Sequence, residues 1–186
     1  MTKTKRNMLT RKIAPDHKGY VHVYTDAGRK KYKCGTILSS IAVYFGPGEN
    51  ANIGKIVPSV SDINVAEAMA TLEAIKIARK NKINKLTIFT DSLSTVHIVN
   101  SLKSQRRGLR GANKYRRKPE KKLKLFEKSP STFQYIVDQI NQMEDVQFIW
   151  VKAHSKPGVP GHKGNKAADK LAGQALKRAA ANAGLR

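Results

Sequence analysis

Cysteine is nearly absent: the 186 residues hold one, Cys34. A lone thiol excludes a disulfide framework and any zinc cluster built on several cysteines, and it suits a reducing compartment. Acids are scarce too, with 13 Asp+Glu in the whole chain, and tryptophan occurs once. No apolar run approaches the roughly 18–20 residues of a membrane-spanning helix, and nothing after Met1 reads as a signal-peptide core. An intracellular location is therefore expected, with nucleus, mitochondrion and cytoplasm not distinguished. What is abundant is positive charge: 36 Lys+Arg give a formal net charge of +23. A surface this basic attracts a polyanion, and nucleic acid is the commonest one. With 40% hydrophobic residues the chain has enough apolar mass for one ordinary core.

Residues 1–18 carry six basic side chains and one acid, without helical or strand period, and read as a flexible basic arm. An organelle-targeting segment is the second reading of that arm. Residues 19–181 read as one domain and 182–186 as a short tail. Tyr20–Thr25 alternates and is β-rich, Cys34–Tyr44 is a second strand candidate ending at Gly46-Pro47-Gly48, and Gly54–Val57 is a short third. Val65–Lys80 is a strong helix former with Asn81 at its stop. Leu86–Thr90 reads as a buried strand, Ser92–Leu102 and Phe133–Met143 as helices, Val146–Val151 as a fifth strand, and Lys166–Ala181 as an Ala-rich last helix. Three strands, a helix, a strand, helices, a strand and a helix predict a single α/β domain on a mixed five-stranded sheet. Cys34 is expected to pack in its strand, and Trp150 to join the core at the end of the fifth strand.

Between Lys103 and Lys128, twelve Lys/Arg stand against Glu120 and Glu127 alone, and Gly108, Gly111 and Pro119 break any long helix. Charge this dense repels itself unless a polyanion neutralises it. The expected phosphate contacts are Arg106, Arg107, Arg110, Lys114, Arg116, Arg117, Lys118, Lys121 and Lys122, in a basic protrusion spanning 103–128.

Since acids are few, their placement is informative. Asp26 and Asp91 each end a predicted strand, where α/β sheets put functional groups, although a strand-end Asp also serves as a plain turn residue. Glu67 shares a helix face with Ala70, Ala74 and Ile77 or Ala78. A carboxylate on such a packing face is costly unless something compensates its charge. Glu73 points elsewhere, as a solvated acid. Asp169 shares a face with Ala172 and Leu176 and is expected to look inward, though many faces of that helix are Ala-rich. Four carboxylates converging on one site would repel each other without divalent cations among them, and hard oxygen ligands suit Mg²⁺ or Mn²⁺.

The segments YTDAG (Tyr24–Gly28), AEAMATLEAI (Ala66–Ile75), IFTDSLSTV (Ile88–Val96) and WVKAH…GNKAADKLA (Trp150–Ala172) resemble, in order and spacing, the four active-site blocks of the ribonuclease H family. Ala42–Pro58 and Lys118–Phe126 resemble the eukaryotic type 1 members. The likeness runs from about Gly19 to Leu176. It implies an endoribonuclease that cuts the RNA strand of RNA–DNA hybrids with two Mg²⁺ ions, leaving 5′-phosphate and 3′-hydroxyl ends. Asp26, Glu67, Asp91 and Asp169 would be both catalytic and metal-binding. His154 would be the mobile catalytic histidine, with His162 as the alternative. Asn64 would read the hybrid's minor groove, and the basic protrusion would grip the DNA-strand phosphates. A monomer with no obligate protein partner is implied.

Departures from the family pattern fall on the nucleic-acid grip. Asp62 and Ile63 precede Asn64 where polar groove readers are usual, and Asp62 would repel a nearby phosphate. Leu93 follows Asp91-Ser92, and Gly28-Arg29-Lys30-Lys31 replaces a Gly-rich turn. Leu109 and Lys122 depart from the usual protrusion. No segment resembles the separate hybrid-binding module of many eukaryotic members, so low processivity is expected. The alternative function is a catalytically weak or silent binder of hybrid or duplex on the same fold. An integrase- or transposase-like core fits less well, because the GNKAAD block before a C-terminal helix does not match one.

Overall fold

A computed structural model describes residues 13–57, 62–106, 127–154 and 156–185. Among the described residues nine elements follow in order: β1 (Val21–Lys31), β2 (Ile37–Tyr44), β3 (Ile53–Val57), α1 (Ile63–Lys80), β4 (Lys85–Thr90), α2 (Leu93–Arg106), α3 (Pro130–Ile140), β5 (Asp145–Trp150) and α4 (His162–Asn182). The strands form one sheet in the order β3-β2-β1-β4-β5. β1, β2 and β3 make an antiparallel meander, whereas β4 and β5 join β1 in parallel. This is the single mixed α/β sheet that the order of elements predicted.

Alternation along β1 divides the side chains between two faces. Val21 and Val23 enter a core with Ala68, Ile75, Val99, Phe133, Ile136 and Val137, so α1, α2 and α3 cover that face together. Tyr24 points the other way, into a small cluster with Ala42, Ala168, Ala172 and Leu171, where α4 lies on β1, β2 and β3. α4 comes close because its contact residues are small. At Gly54 a Cβ would sit 2.5 Å from the Leu171 carbonyl oxygen, and at Gly164 it would lie 2.3 Å from the Tyr24 ring.

Several boundaries differ from the sequence expectation, each for a physical reason. β1 does not end at Thr25: it continues through Asp26 to Lys31 because β2 pairs with it across the whole Gly28–Lys31 stretch. Cys34 is exposed in the β1–β2 turn rather than packed in a strand. Trp150 is 47% exposed, because β5 is an edge strand with Ile149 and Trp150 both uncovered. At the N-terminal side, Ile13 packs against the main core, and Asp16 accepts from the Lys18 and Tyr20 backbone N–H groups.

Candidate active site

The site grows out of strand register. In the parallel β1–β4 pair the last partners are Thr25 and Thr90, so Asp26 and Asp91 stand level, one residue beyond. Past this point β4 leaves the sheet while β1 runs on with β2 alone. A crevice opens there at the carboxyl ends of the parallel strands, the place where open α/β sheets hold ligands. The Ala27 N–H, no longer needed by β4, is shared by two carboxylates: it donates to Asp26 Oδ1 at 2.7 Å and to Glu67 Oε1 at 3.2 Å.

Glu67 arrives from the first turns of α1. Asp62 caps that helix, its carboxylate accepting the Asn64 backbone N–H at 2.9 Å. The buried stripe of α1 includes Ala66, Glu67, Ala70, Ala74 and Ala78, which places the Glu67 carboxylate against the sheet as its helical spacing indicated. Glu73, on another face, pairs with Lys55 at 2.7 Å. One carboxylate oxygen each from Asp26, Glu67 and Asp91 lie within 4.8 Å of one another.

Asp169 sits differently from the inward position expected of it. The stripe of α4 that packs on the sheet is Asn165, Ala168, Ala172, Ala175 and Leu176. Asp169, about 100° round the helix from Ala168, is exposed at the rim, where it lines an open pocket with Asp26, Asp91, His154, His162, Asn165 and Lys166. Its negative charge still reaches Asp26.

Burial and mutual repulsion act on these acids together. Desolvation, then the neighbouring Asp91 charge, raise the Asp26 carboxyl from its ordinary 3.8 to about 7, against the lowering effect of the Ala27 N–H. Glu67 is pushed well above its ordinary value by burial first, then by Asp26 and Asp91. Its Oε2 is buried without a hydrogen-bond partner. A set of hard oxygen donors, one of them orphaned and two reluctant to ionise, fits a divalent cation such as Mg²⁺ or Mn²⁺.

Both candidate histidines reach the pocket. His154 is exposed in the loop after β5, with its backbone in the left-handed region (φ +48°), and His162 opens α4. Asn165 went unrecognised in the sequence, although its spacing to Ala168, Ala172 and Leu176 puts a polar residue on the packing stripe by the same logic that singled out Glu67. Its Nδ2 donates to Asp91 Oδ2 at 3.4 Å, and its Oδ1 is buried without a partner. Trp150 donates its indole N–H to the Asp91 backbone carbonyl at 3.1 Å, bracing the strand end.

The nucleic-acid candidates divide. Asn64 lies beside the site, three residues before Glu67, but its side-chain Nδ2 donates to Asp62 Oδ1 at 3.0 Å. Asp62 also takes a 2.5 Å ion pair from Lys128, which holds its carboxyl below the ordinary value and offsets the charge expected to repel phosphate. Arg106 ends α2. Arg107, Arg110, Lys114, Arg116, Arg117, Lys118, Lys121 and Lys122 lie outside the described residues.

A five-stranded mixed α/β sheet thus carries three converging carboxylates that could hold a metal ion, with a fourth at the rim. The RNase H family model matches residues 18–177, and the chain belongs to that family. Ribonuclease H1 of Homo sapiens is 30% identical over 164 residues, which is 86% of this chain and 51% of the human protein. The chain thus spans about half the length of the Ribonuclease H1 proteins it matches. Two solved structures share the fold. RNase H1 from the halophilic archaeon Halobacterium salinarum NRC-1 superposes with a TM-score of 0.55 at 17% identity, over 86% of this chain and 98% of that one. A foamy viral protease-reverse transcriptase, solved in complex with RNA/DNA hybrid, gives 0.55 at 20% identity over 94% of this chain and 22% of its own.

Proposed function

We propose that this chain is an endoribonuclease that hydrolyses the RNA strand of RNA–DNA hybrids by a two-metal-ion mechanism, leaving 5′-phosphate and 3′-hydroxyl ends. The observation that carries this reading is the convergence of Asp26, Glu67 and Asp91 oxygens within 4.8 Å, in a protein whose net charge is +23. A silent binder has no use for buried acids that raise one another's pKa.

Asp26, Glu67 and Asp91 would hold the cations, with Asp169 completing the set from the rim. Two divalent ions, when bound, supply charge neutralisation of the scissile phosphate and activation of the attacking water. The chain's own residues do the rest. Asn165 and Trp150 fix the strand end that carries Asp91. His154, exposed on a loop at the mouth of the pocket, is suited to carry a proton to or from the reacting oxygens at its imidazole, and His162 stands second. Asn64 and the basic segment following Arg106 would bind the hybrid, and contact with 2′-hydroxyls would select the RNA strand. We assign the work to a monomer in an intracellular compartment, in keeping with an exposed free thiol at Cys34.

The test is cleavage of an end-labelled RNA–DNA hybrid beside duplex RNA, duplex DNA and single-stranded RNA, with Mg²⁺, with Mn²⁺ and with EDTA. Metal-dependent cutting of the hybrid's RNA strand alone is expected. Binding without cutting in either metal would overturn the enzyme reading in favour of a hybrid-binding protein.

A further inference from the structure

Three lysines elsewhere in this domain have acidic partners: Lys55 pairs with Glu73, Lys85 with Glu144 and Lys128 with Asp62. Others, such as Lys80 and Lys82, make no ion pair among the described residues, so what distinguishes the last helix is how its lysines are arranged. Lys163, Lys166, Lys170 and Lys177 are all exposed, and none makes an ion pair among the described residues. At about 100° per residue they fall within one narrow stripe, opposite the Asn165–Ala168–Ala172 face that packs on the sheet. An ordinary solvated helix face alternates charge, since opposite charges at i and i+4 stabilise and like charges repel. Here Lys166 and Lys170 are an unrelieved i,i+4 like pair, and Asp169 is the sole acid of α4.

The stripe also has a direction. It begins at the pocket, which Lys166 lines beside Asp169, and runs about 21 Å along the helix to Lys177. α4 covers the sheet face opposite α1, α2 and α3. The basic segment following Arg106 joins α2 to α3, so its two ends belong to the other layer. A duplex laid across the carboxylates toward α4 would meet the start of this stripe at Lys166.

We propose that the lysine stripe of α4 is a second phosphate-binding surface, which holds the backbone of the hybrid substrate on the α4 side of the cleavage point. The inference rests on the reading of the chain as a hybrid-cutting nuclease. It assigns to Lys163, Lys170 and Lys177 a role in grip, not in bond cleavage, and it explains why this helix face carries charge of one sign.

The experiment is fluorescence anisotropy of a labelled RNA–DNA hybrid in EDTA, where nothing is cut, across a series of NaCl concentrations. Three proteins are compared: wild type, K170Q/K177Q on the stripe, and K80Q/K82Q at the far end of α1, which loses the same charge. Each phosphate contact removed should lower the slope of log affinity against log salt by about 0.9. The stripe variant should therefore lose between about one and two units of slope and bind roughly tenfold or more weakly at about 0.1 M salt. K80Q/K82Q should track wild type, and K170R/K177R should restore both quantities. A stripe variant that matches wild type overturns the proposal, as does an equal loss in K80Q/K82Q, which would reduce the effect to bulk charge. Failure of wild type to bind hybrid at all would instead remove the functional reading beneath it.

Discussion

The two faces of the sheet are built from side chains of different size. Toward α1, α2 and α3 the contacts are made by Phe133, Ile75, Ile136, Leu86 and Ile88, which fill a deep core. Toward α4 the fully buried contacts are Ala42, Ala168 and Ala172, with Tyr24, Tyr44 and Leu171 partly buried around them and Gly28, Gly54 and Gly164 at the points of closest approach. Large residues bury more apolar surface, roughly 25 cal/mol per Å², so the first face supplies most of the stability. Small residues let a helix approach closely. That closeness is what brings Asn165 within reach of Asp91 and puts Asp169 at the rim of the pocket. The first layer holds the fold and lends Glu67 to the site, and the second closes the site around Asp91.

This division can be broken at either layer. The largest effect should come from Asp91→Asn, which is expected to remove measurable cleavage while leaving hybrid binding at low salt intact or tighter, as read by gel assay and anisotropy. Retention of wild-type cleavage would refute the carboxylate mechanism. Next, His154→Ala should lower kcat by about a hundredfold or more, the usual worth of a positioned proton-transfer group, and His162→Ala only a few-fold. The reverse order would move the role to His162.

Stability should separate the layers in turn. Phe133→Ala is expected to cost about 3–5 kcal/mol in urea unfolding, yet to leave cleavage near wild type at temperatures where the variant is still folded. Gly164→Ala should cost less, about 1–3 kcal/mol, because the new methyl meets the Tyr24 ring and forces α4 outward. Its activity should nonetheless fall further than that of Phe133→Ala. Equal activity losses in the two variants would end the claim that the layers do different work.

The smallest effect concerns pH. Burial and repulsion raise the carboxyls of Asp26 and Glu67, so in the metal-free protein the folded state keeps protons that the unfolded chain has released. Stability is then fully present below the ordinary carboxylate range and declines as pH rises from about 4 to about 7. In EDTA the melting temperature should drop between about pH 4 and about pH 7, and Glu67→Gln should flatten that slope and raise the neutral-pH value. Differential scanning calorimetry at several pH values would show it, and an unchanged slope would mean that the acids are not strained without a cation.

Much of this was legible in the chain. Strand and helix order followed from periodicity and turn residues, and Glu67 stood out because a carboxylate on an alanine stripe has no structural use. The same rule applied to α4 would have found Asn165. It put Asp169 too far inward, because in a helix this rich in alanine several faces look apolar and only the sheet chooses among them. Asp26 read as a strand end because β1 changes partner there; periodicity cannot register that β4 stops while β2 continues. Trp150 read as core because hydrophobicity does not tell an edge strand from a central one.

The linear sequence by itself determined the charge balance, the order of the elements and the residue types able to hold a cation, since these depend on composition and local spacing. Tertiary structure alone decided that Asp26 and Asp91 stand level, that the Asp62 charge is offset by Lys128, and that the lysines of α4 lie opposite the helix face that packs on the sheet. Those facts depend on strand register and on which helix covers which face, and both are fixed by contacts between residues far apart in the chain.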